Sequence, residues 1–423
     1  MRSSECGMLA TVFRIPHSEF RMAMLKSVSG GVTAAQGFLA AGVSAGIKKS
    51  RKPDLALVAC PSGAAAAAVF TRNRVQAAPV LISRSRARRG TAKAVVINSG
   101  CANCLTGPAG RRDALAVSRA VERALALKPQ DVLLASTGVI GQRLPVGRVV
   151  QAVPALVASL SRAHHGAAAE AILTTDLQAK EAAVEAAVGG RRFVVGGMAK
   201  GAGMIAPSMA TMLCVLTTDA AVPAGVLKRV LRQAAAATFN RISVDGDMST
   251  NDTVFGLASG HAGVRVGAAG PAQRLFARAV EAVMRELALM LVRDGEGATR
   301  MMAVEVTGAR SDAEADRCAR QIAQSPLVKT MLAGADPNVG RIAAAAGASL
   351  VAMDPRRLEI WIGPRRVVAR GEVLSLPARV AEGLLQQDVV AVRVALHAGS
   401  GRGRMVTCDL TEDYVHINAR YTT

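Results

Sequence analysis

The sequence predicts an α/β protein in which core strands and amphipathic helices alternate along one chain. Short apolar runs with strand character recur at 54–60 (DLALVAC), 65–70, 92–97 (AKAVVI), 131–135 (DVLLA), 192–197 and 212–216 (MLCVL). Helix-period stretches lie among them at about 110–127, 146–163, 224–237 and 272–291, the first carrying Leu115, Val117, Ala120 and Val121 on one side. At 423 residues and 51% hydrophobic, the chain suits two domains or one large one and is too apolar for disorder.

From the N-terminus, residues 1–21 are basic and lack the long apolar segment of a secretory signal. A transit peptide, a tail, or a start codon upstream of a true start at Met22 or Met24 all fit, and residues 1–30 read as a dispensable extension. Arg84–Arg89 (RSRARR) reads as a solvated loop. The strand at 92–97 runs into Asn98-Ser99-Gly100-Cys101-Ala102-Asn103, a turn-rich loop of small residues. Loops after core strands are common places for substrate contacts. The strand at 131–135 runs into Ser136-Thr137-Gly138-Val139-Ile140-Gly141. A glycine amide with a neighbouring hydroxyl can supply two donors to an oxyanion, although S-T-G turns are widespread. His164-His165 reads as exposed rather than metal-binding.

The strand at 192–197 delivers Lys200, which opens the stretch KGAGMIAPSMATMLCVLTTDA at 200–220. Small residues precede Thr211 and an apolar strand follows it. Thr211 is therefore either a β-former at a turn or a hydroxyl placed where a chain could be cut before it. A threonine freed at a new N-terminus carries its own base, because an α-amino group titrates at about 7.7–8.0. Farther on come FNRISVDGDMSTNDT at 239–253, the long helix at 272–291, VRDGEGAT at 292–299, a hairpin at 358–371 with Trp361, and CDLT with YVHINA near the end. His416 in the last of these reads as a strand histidine. Asp245, Asp247 and Asp252 lack EF-hand spacing.

Composition narrows the function classes. Lys and Arg number 52 against 31 acids, a net charge of +21 that would suit anionic partners, but only 3% of residues are aromatic and the basic residues are spread out. Nucleic acid is not the expected partner. Seven scattered cysteines make no disulfide framework and fit a reducing cytosol, and Cys101-x-x-Cys104 lacks a second metal-spaced pair. No run reaches the length of a membrane span, the Ala-rich runs near 64–70 and 343–346 included. No metal is expected.

These motifs, in this order from Gly31 to Thr423, resemble the ornithine acetyltransferase (glutamate N-acetyltransferase) family of arginine biosynthesis. The resemblance implies a layered α/β architecture, the DmpA-like fold of related N-terminal-nucleophile aminopeptidases. It also implies self-cleavage at Ala210–Thr211, giving an α chain (31–210) and a β chain (211–423) that stay associated as an α2β2 heterotetramer in the cytoplasm. Thr211 would be the nucleophile, with Thr137 and Gly138 forming the oxyanion hole. Substrate contacts would fall on Thr174 or Thr175 in ILTTD, on Lys200 in AKGAGM, and on Glu296, Asn418 and Thr423. Departures from the family pattern stand at Cys101, Cys104, Leu177, Val339 and Val406, and bear on substrate preference.

The implied reaction is ping-pong transfer of acetyl from N2-acetylornithine to L-glutamate through acetyl-Thr211, without a cofactor. Bifunctional members also take acetyl from acetyl-CoA, and no motif here decides that. A paralogous acyltransferase with another acceptor and an N-terminal-nucleophile aminopeptidase using water are the alternatives, with an uncut basic binding protein as a third.

Overall fold

The structure, a computed structural model, describes residues 25–206, 212–375 and 377–420. The N-terminal extension up to residue 24, the cleavage pair Ala210 and Thr211, and Thr423 lie outside the described residues. The described residues fall into two compact units: 241–246 with those from 295 to 420 form the smaller, and those from 25 to 240 and from 247 to 294 form the larger.

The larger unit is built on a nine-stranded mixed sheet. From one edge its strands run Leu25–Ser27, Lys180–Val188, Arg191–Lys200, Leu213–Thr218, Thr253–Ala258, Leu55–Phe70, Thr91–Asn98 and Val132–Ser136, with Leu39–Val43 paired onto Leu55–Phe70. Successive side chains of a strand point to opposite faces, and both faces here are apolar. Leu57, Val96 and Leu134 pack with Val117 and Val121 of the helix Gly107–Ala124 and with Val149, Val153 and Leu156 of Val146–Ala158. Their neighbours Val58, Val95, Ile97 and Leu133 pack on the other side with Ala168, Ala169 and Ile172. The expected helix-layered sheet is therefore present.

Three expectations change in detail. The runs at 54–60 and 65–70 are one strand, Leu55–Phe70, whose pairing shifts register between Ala59 and Ala64, where Gly63 has φ +87°. The helix expected to 163 ends at Ala158, because Ser161 exchanges backbone hydrogen bonds with Ala40 at 3.0 Å in both directions. Arg84–Arg89 is not a solvated loop. The helix Ala78–Ala87 covers most of it and buries Arg86, which donates to the Ser118 hydroxyl and to the Val132 carbonyl and lies 3.4 Å from Glu122.

The smaller unit has a seven-stranded sheet in the order Glu372–Val373, Arg365–Ala369, Glu359–Ile362, Val389–Ala395, Met301–Ala309, Gly401–Cys408, Ile242–Ser243. Val304, Val306, Val392 and Val394 pack with Cys318 and Ile322 of the helix Asp312–Gln324 and with Val328, Met331 and Ile342 from the helices that follow. The expected hairpin at 358–371 is present, and Trp361 lies 4.0 Å beneath the Arg393 guanidinium. The segment carrying His416 is a helix, Glu412–Arg420, and not a strand. Acids in its first turn and Arg420 in its last suit the helix dipole.

Candidate active site

The strands Thr91–Asn98 and Val132–Ser136 are parallel neighbours that end together, so the loops after them meet. Ser136 donates to Asn98 Oδ1 at 2.5 Å, Asn98 Nδ2 donates to the Cys101 carbonyl at 2.8 Å, and the Thr137 amide donates to the Asn98 carbonyl at 2.9 Å. Asn251 Nδ2 ties both loops, donating to the carbonyls of Ala102 and Ser136 at 2.7 and 2.8 Å. Gly138 has φ +124°, and a Cβ there would sit 2.4 Å from the Gly100 carbonyl carbon. Only glycine fits, and the Thr137–Gly138 turn is held rigidly.

Lys200, the last residue of Arg191–Lys200, is 2% exposed and reaches this turn. Its ammonium donates to Thr174 Oγ1 at 2.6 Å and to Thr137 Oγ1 at 3.3 Å. Of the two threonines left open by the sequence, Thr174 is the one joined to Lys200. By taking an N–H from Lys200, the Thr137 hydroxyl keeps its own proton to give to a third group.

Sequence reasoning passed over the acid beneath this cluster. Asp176 Oδ1 accepts from Lys180 Nζ at 2.7 Å and from the Gly201 amide at 2.6 Å, while Oδ2 accepts from the Thr174 amide at 3.0 Å and lies 3.7 Å from Lys200 Nζ. Lys180 donates in turn to Asp294 Oδ2, which also accepts from the Leu177 amide at 3.1 Å. Burial alone would push the Asp176 carboxyl up, but Lys200 and Lys180 together hold it well below the usual carboxylate range. Asp176 was visible in the sequence as the one acid in ILTTD, four residues before Lys180.

Lys48 is a second unforeseen cation. Its stem runs beside Gly100, whose added Cβ would be 3.0 Å from Lys48 Cγ, and its Nζ donates to the Pro53 carbonyl at 2.7 Å. Burial lowers its pKa to about 8, with Asp54 acting in the opposite direction and Lys200 reinforcing the drop. Buried ammonium and small donors around a fixed turn can hold an anion or a developing oxyanion.

In the smaller unit two further expected residues come together. Glu296 is 9% exposed, and its Oε2 accepts from Asn418 Nδ2 at 2.7 Å. Gly297 has φ +69°, and its carbonyl accepts from Thr411 Oγ1 at 2.7 Å, which docks the Glu296 loop on the segment leading into the last helix. Among the described residues, no group of three or more His, Cys, Asp or Glu side chains is placed to hold a metal ion, and no helix is long and apolar enough to cross a membrane.

Comparison with known proteins decides the family, since the ArgJ family profile matches residues 39–423. The chain belongs to the ArgJ family. The arginine biosynthesis bifunctional protein ArgJ of Gloeobacter violaceus is 46% identical over 406 residues, covering 95% of this chain and all (100%) of that protein. The chloroplastic ArgJ of Populus trichocarpa is also 46% identical, over 409 residues, 94% of this chain and 85% of that one. Among solved structures, the ornithine acetyltransferase of Mycobacterium tuberculosis complexed with ornithine is 44% identical and matches 44% of this chain and 98% of its own, with a TM-score of 0.41. Thr137, Gly138, Thr174, Lys200, Glu296 and Asn418 all fall within the part of the chain that matches ArgJ.

Proposed function

We propose that this ArgJ-family chain transfers the acetyl group of N2-acetylornithine to L-glutamate through an acetylated Thr211. The chain is an acyltransferase of arginine biosynthesis, in keeping with its family and with relatives 46% identical over nearly their whole length. The observation that carries the mechanism is the meeting of Lys200 Nζ with both Thr137 Oγ1 and Thr174 Oγ1, eleven residues before Thr211 in the chain.

In this reading the precursor cuts itself between Ala210 and Thr211, leaving an α chain, 31–210, and a β chain, 211–423. Thr211 Oγ attacks the acetamide carbonyl while its own amine takes the proton. The Thr137 hydroxyl and the Gly138 amide receive the oxyanion, and ornithine departs with the proton returned to its nitrogen. Glutamate then attacks acetyl-Thr211 and leaves as N-acetylglutamate. Lys200, with Thr174 beside it, holds the substrate carboxylate, while Glu296 with Asn418, and Thr423, contact the substrate elsewhere. Acetyl-CoA is a second donor in the same proposal, since the relatives are named bifunctional. Assembly as an α2β2 heterotetramer, a cytoplasmic location and the absence of any cofactor complete it.

Intact mass and N-terminal sequencing of the wild type beside Thr211→Ala test this. Two wild-type chains, the second beginning at Thr211, and a single uncut variant are expected, with ornithine released beyond one equivalent per site only when glutamate or another acceptor is supplied. An uncut wild type would sink the proposal. Sustained turnover of ornithine into water alone would turn the enzyme into a hydrolase.

A further inference from the structure

The Thr137–Gly138 turn is backed by a directed chain of hydrogen bonds that starts at Asp176. Lys200 Nζ donates to Thr174 Oγ1 at 2.6 Å and to Thr137 Oγ1 at 3.3 Å. A hydroxyl that accepts from an ammonium sends its own proton elsewhere. The Thr174 hydroxyl faces Asp176 Oδ2 across a long contact of 3.5 Å, and that oxygen also accepts from the Thr174 amide at 3.0 Å and lies 3.7 Å from Lys200 Nζ. Oδ1 accepts from the Gly201 amide at 2.6 Å and from Lys180 Nζ at 2.7 Å. One buried carboxylate thus ties the loop bearing Thr174 to the strand end bearing Lys200.

The Lys200 side chain is 3% exposed, and burial favours a neutral amine over an ammonium. Lys48 and Asp252 also act on Lys200 electrostatically. Lys48 repels it, and burial pushes the Asp252 carboxyl well above the ordinary range, which denies Lys200 a full countercharge there. Asp176 does stay ionised, because Lys200 and Lys180 outweigh its burial. A neutral Lys200 would turn a lone pair on Thr137 Oγ1 and accept the hydroxyl proton, drawing it away from an oxyanion. We propose that Asp176 is a positioning residue for acyl transfer, which keeps Lys200 an ammonium and so leaves the Thr137 proton free to meet the oxyanion. This rests on the reading of Thr137 and Gly138 as the oxyanion hole. Asp176 forms and breaks no covalent bond.

The test measures kcat for acetyl transfer from N2-acetylornithine to glutamate at about pH 6.5 and about pH 9, in wild type, Asp176→Asn, Lys200→Met and the double variant. The carboxamide of Asp176→Asn keeps the shape of the carboxylate without its charge, so the Lys200 pKa drops from the ordinary lysine value of about 10.4. The ratio of wild-type to Asp176→Asn kcat is expected to grow by about 10-fold or more between the two pH values, toward the weight of one lost oxyanion donor. In the Lys200→Met background the same substitution should cost less than about 3-fold at either pH, because Asp176 acts through Lys200. A ratio equal at both pH values, or an equal loss with and without Lys200, is what a purely structural role gives and would overturn the proposal. If Asp176→Asn does not fold, the wild type decides. Its kcat is expected to show no alkaline fall below about pH 9, and a fall there that Lys200→Met lacks shows Lys200 losing its proton in spite of Asp176 and overturns the proposal. A wild type without transferase activity, or a Thr137→Val variant with unchanged kcat, is instead a failure of the acyl-transfer reading, and both are seen before Asp176→Asn is compared.

Discussion

Asn418 Nδ2 gives a hydrogen bond to Glu296 Oε2 at 2.7 Å, joining residues 122 positions apart in the chain. One is on a loop and the other on the last helix, and the bond leaves the carboxylate oriented with acceptor capacity to spare for a substrate amine.

Glu296→Gln should therefore lower kcat/KM for N2-acetylornithine by about 10- to 100-fold, the weight of a charge-assisted hydrogen bond. Asn418→Asp should be worse than Asn418→Ala, because it sets a second carboxylate against Glu296. Steady-state kinetics on all three variants, with melting temperatures beside them, check the ranking.

Thr137→Val removes the hydroxyl at nearly constant volume, and kcat on already cut enzyme should fall about 10²-fold with KM little changed, while Thr137→Ser keeps most of it. Gly138→Ala acts differently. With φ +124° and the Gly100 carbonyl carbon 2.4 Å from the new Cβ, it should destabilise the fold by at least about 2 kcal/mol, read by urea unfolding.

Asp176→Asn leaves Lys200 and Lys180 short of a buried counter-charge, and a loss of about 3–5 kcal/mol is expected. The native carboxyl is held below its unfolded value of about 3.9, so its stabilisation is present above that pH and is lost as pH falls toward the lower folded value. Melting temperature against pH should show this acid-side loss in the wild type and a flatter curve in the variant.

Lys48 has its pKa lowered to about 8 in the folded chain. Against an unfolded value of about 10.4, the unfolded chain holds more protons between those two values, so stability rises with pH across that window. Lys48→Met should flatten the rise between about pH 8 and pH 10. A variant curve parallel to wild type would show that another group is responsible.

The strands and helices of this chain were legible because their signals are local. The run AKAVVI is a buried strand wherever it is placed, and the periodicity at about 110–127 and 272–291, where the helices Gly107–Ala124 and Pro271–Arg293 form, needs no partner to be seen. Local signals failed where a long-range partner set the outcome. Arg86 lies in a basic run that looks solvated, but Ser118, Glu122 and Val132 take up its guanidinium. The segment around Tyr414 and His416 alternates like a strand, yet it folds as a helix with Glu412 and Asp413 in its first turn. Asp176 passed unnoticed because its importance lies in two lysines, one 4 and the other 24 residues away.

By itself the sequence pointed to the family and the α/β class, and it singled out Thr137, Gly138, Lys200, Glu296 and Asn418 as candidates, because each sits in a contiguous motif that can be read without knowing its neighbours in space. Tertiary structure alone decided that Thr174 rather than Thr175 meets Lys200, that Asp176 neutralises the cluster, and that Asp252 holds the amide next to Thr211. Those outcomes depend on which strand ends lie side by side and on how little water reaches them. Pairing and desolvation are properties of the packed chain, and no single stretch of residues carries them.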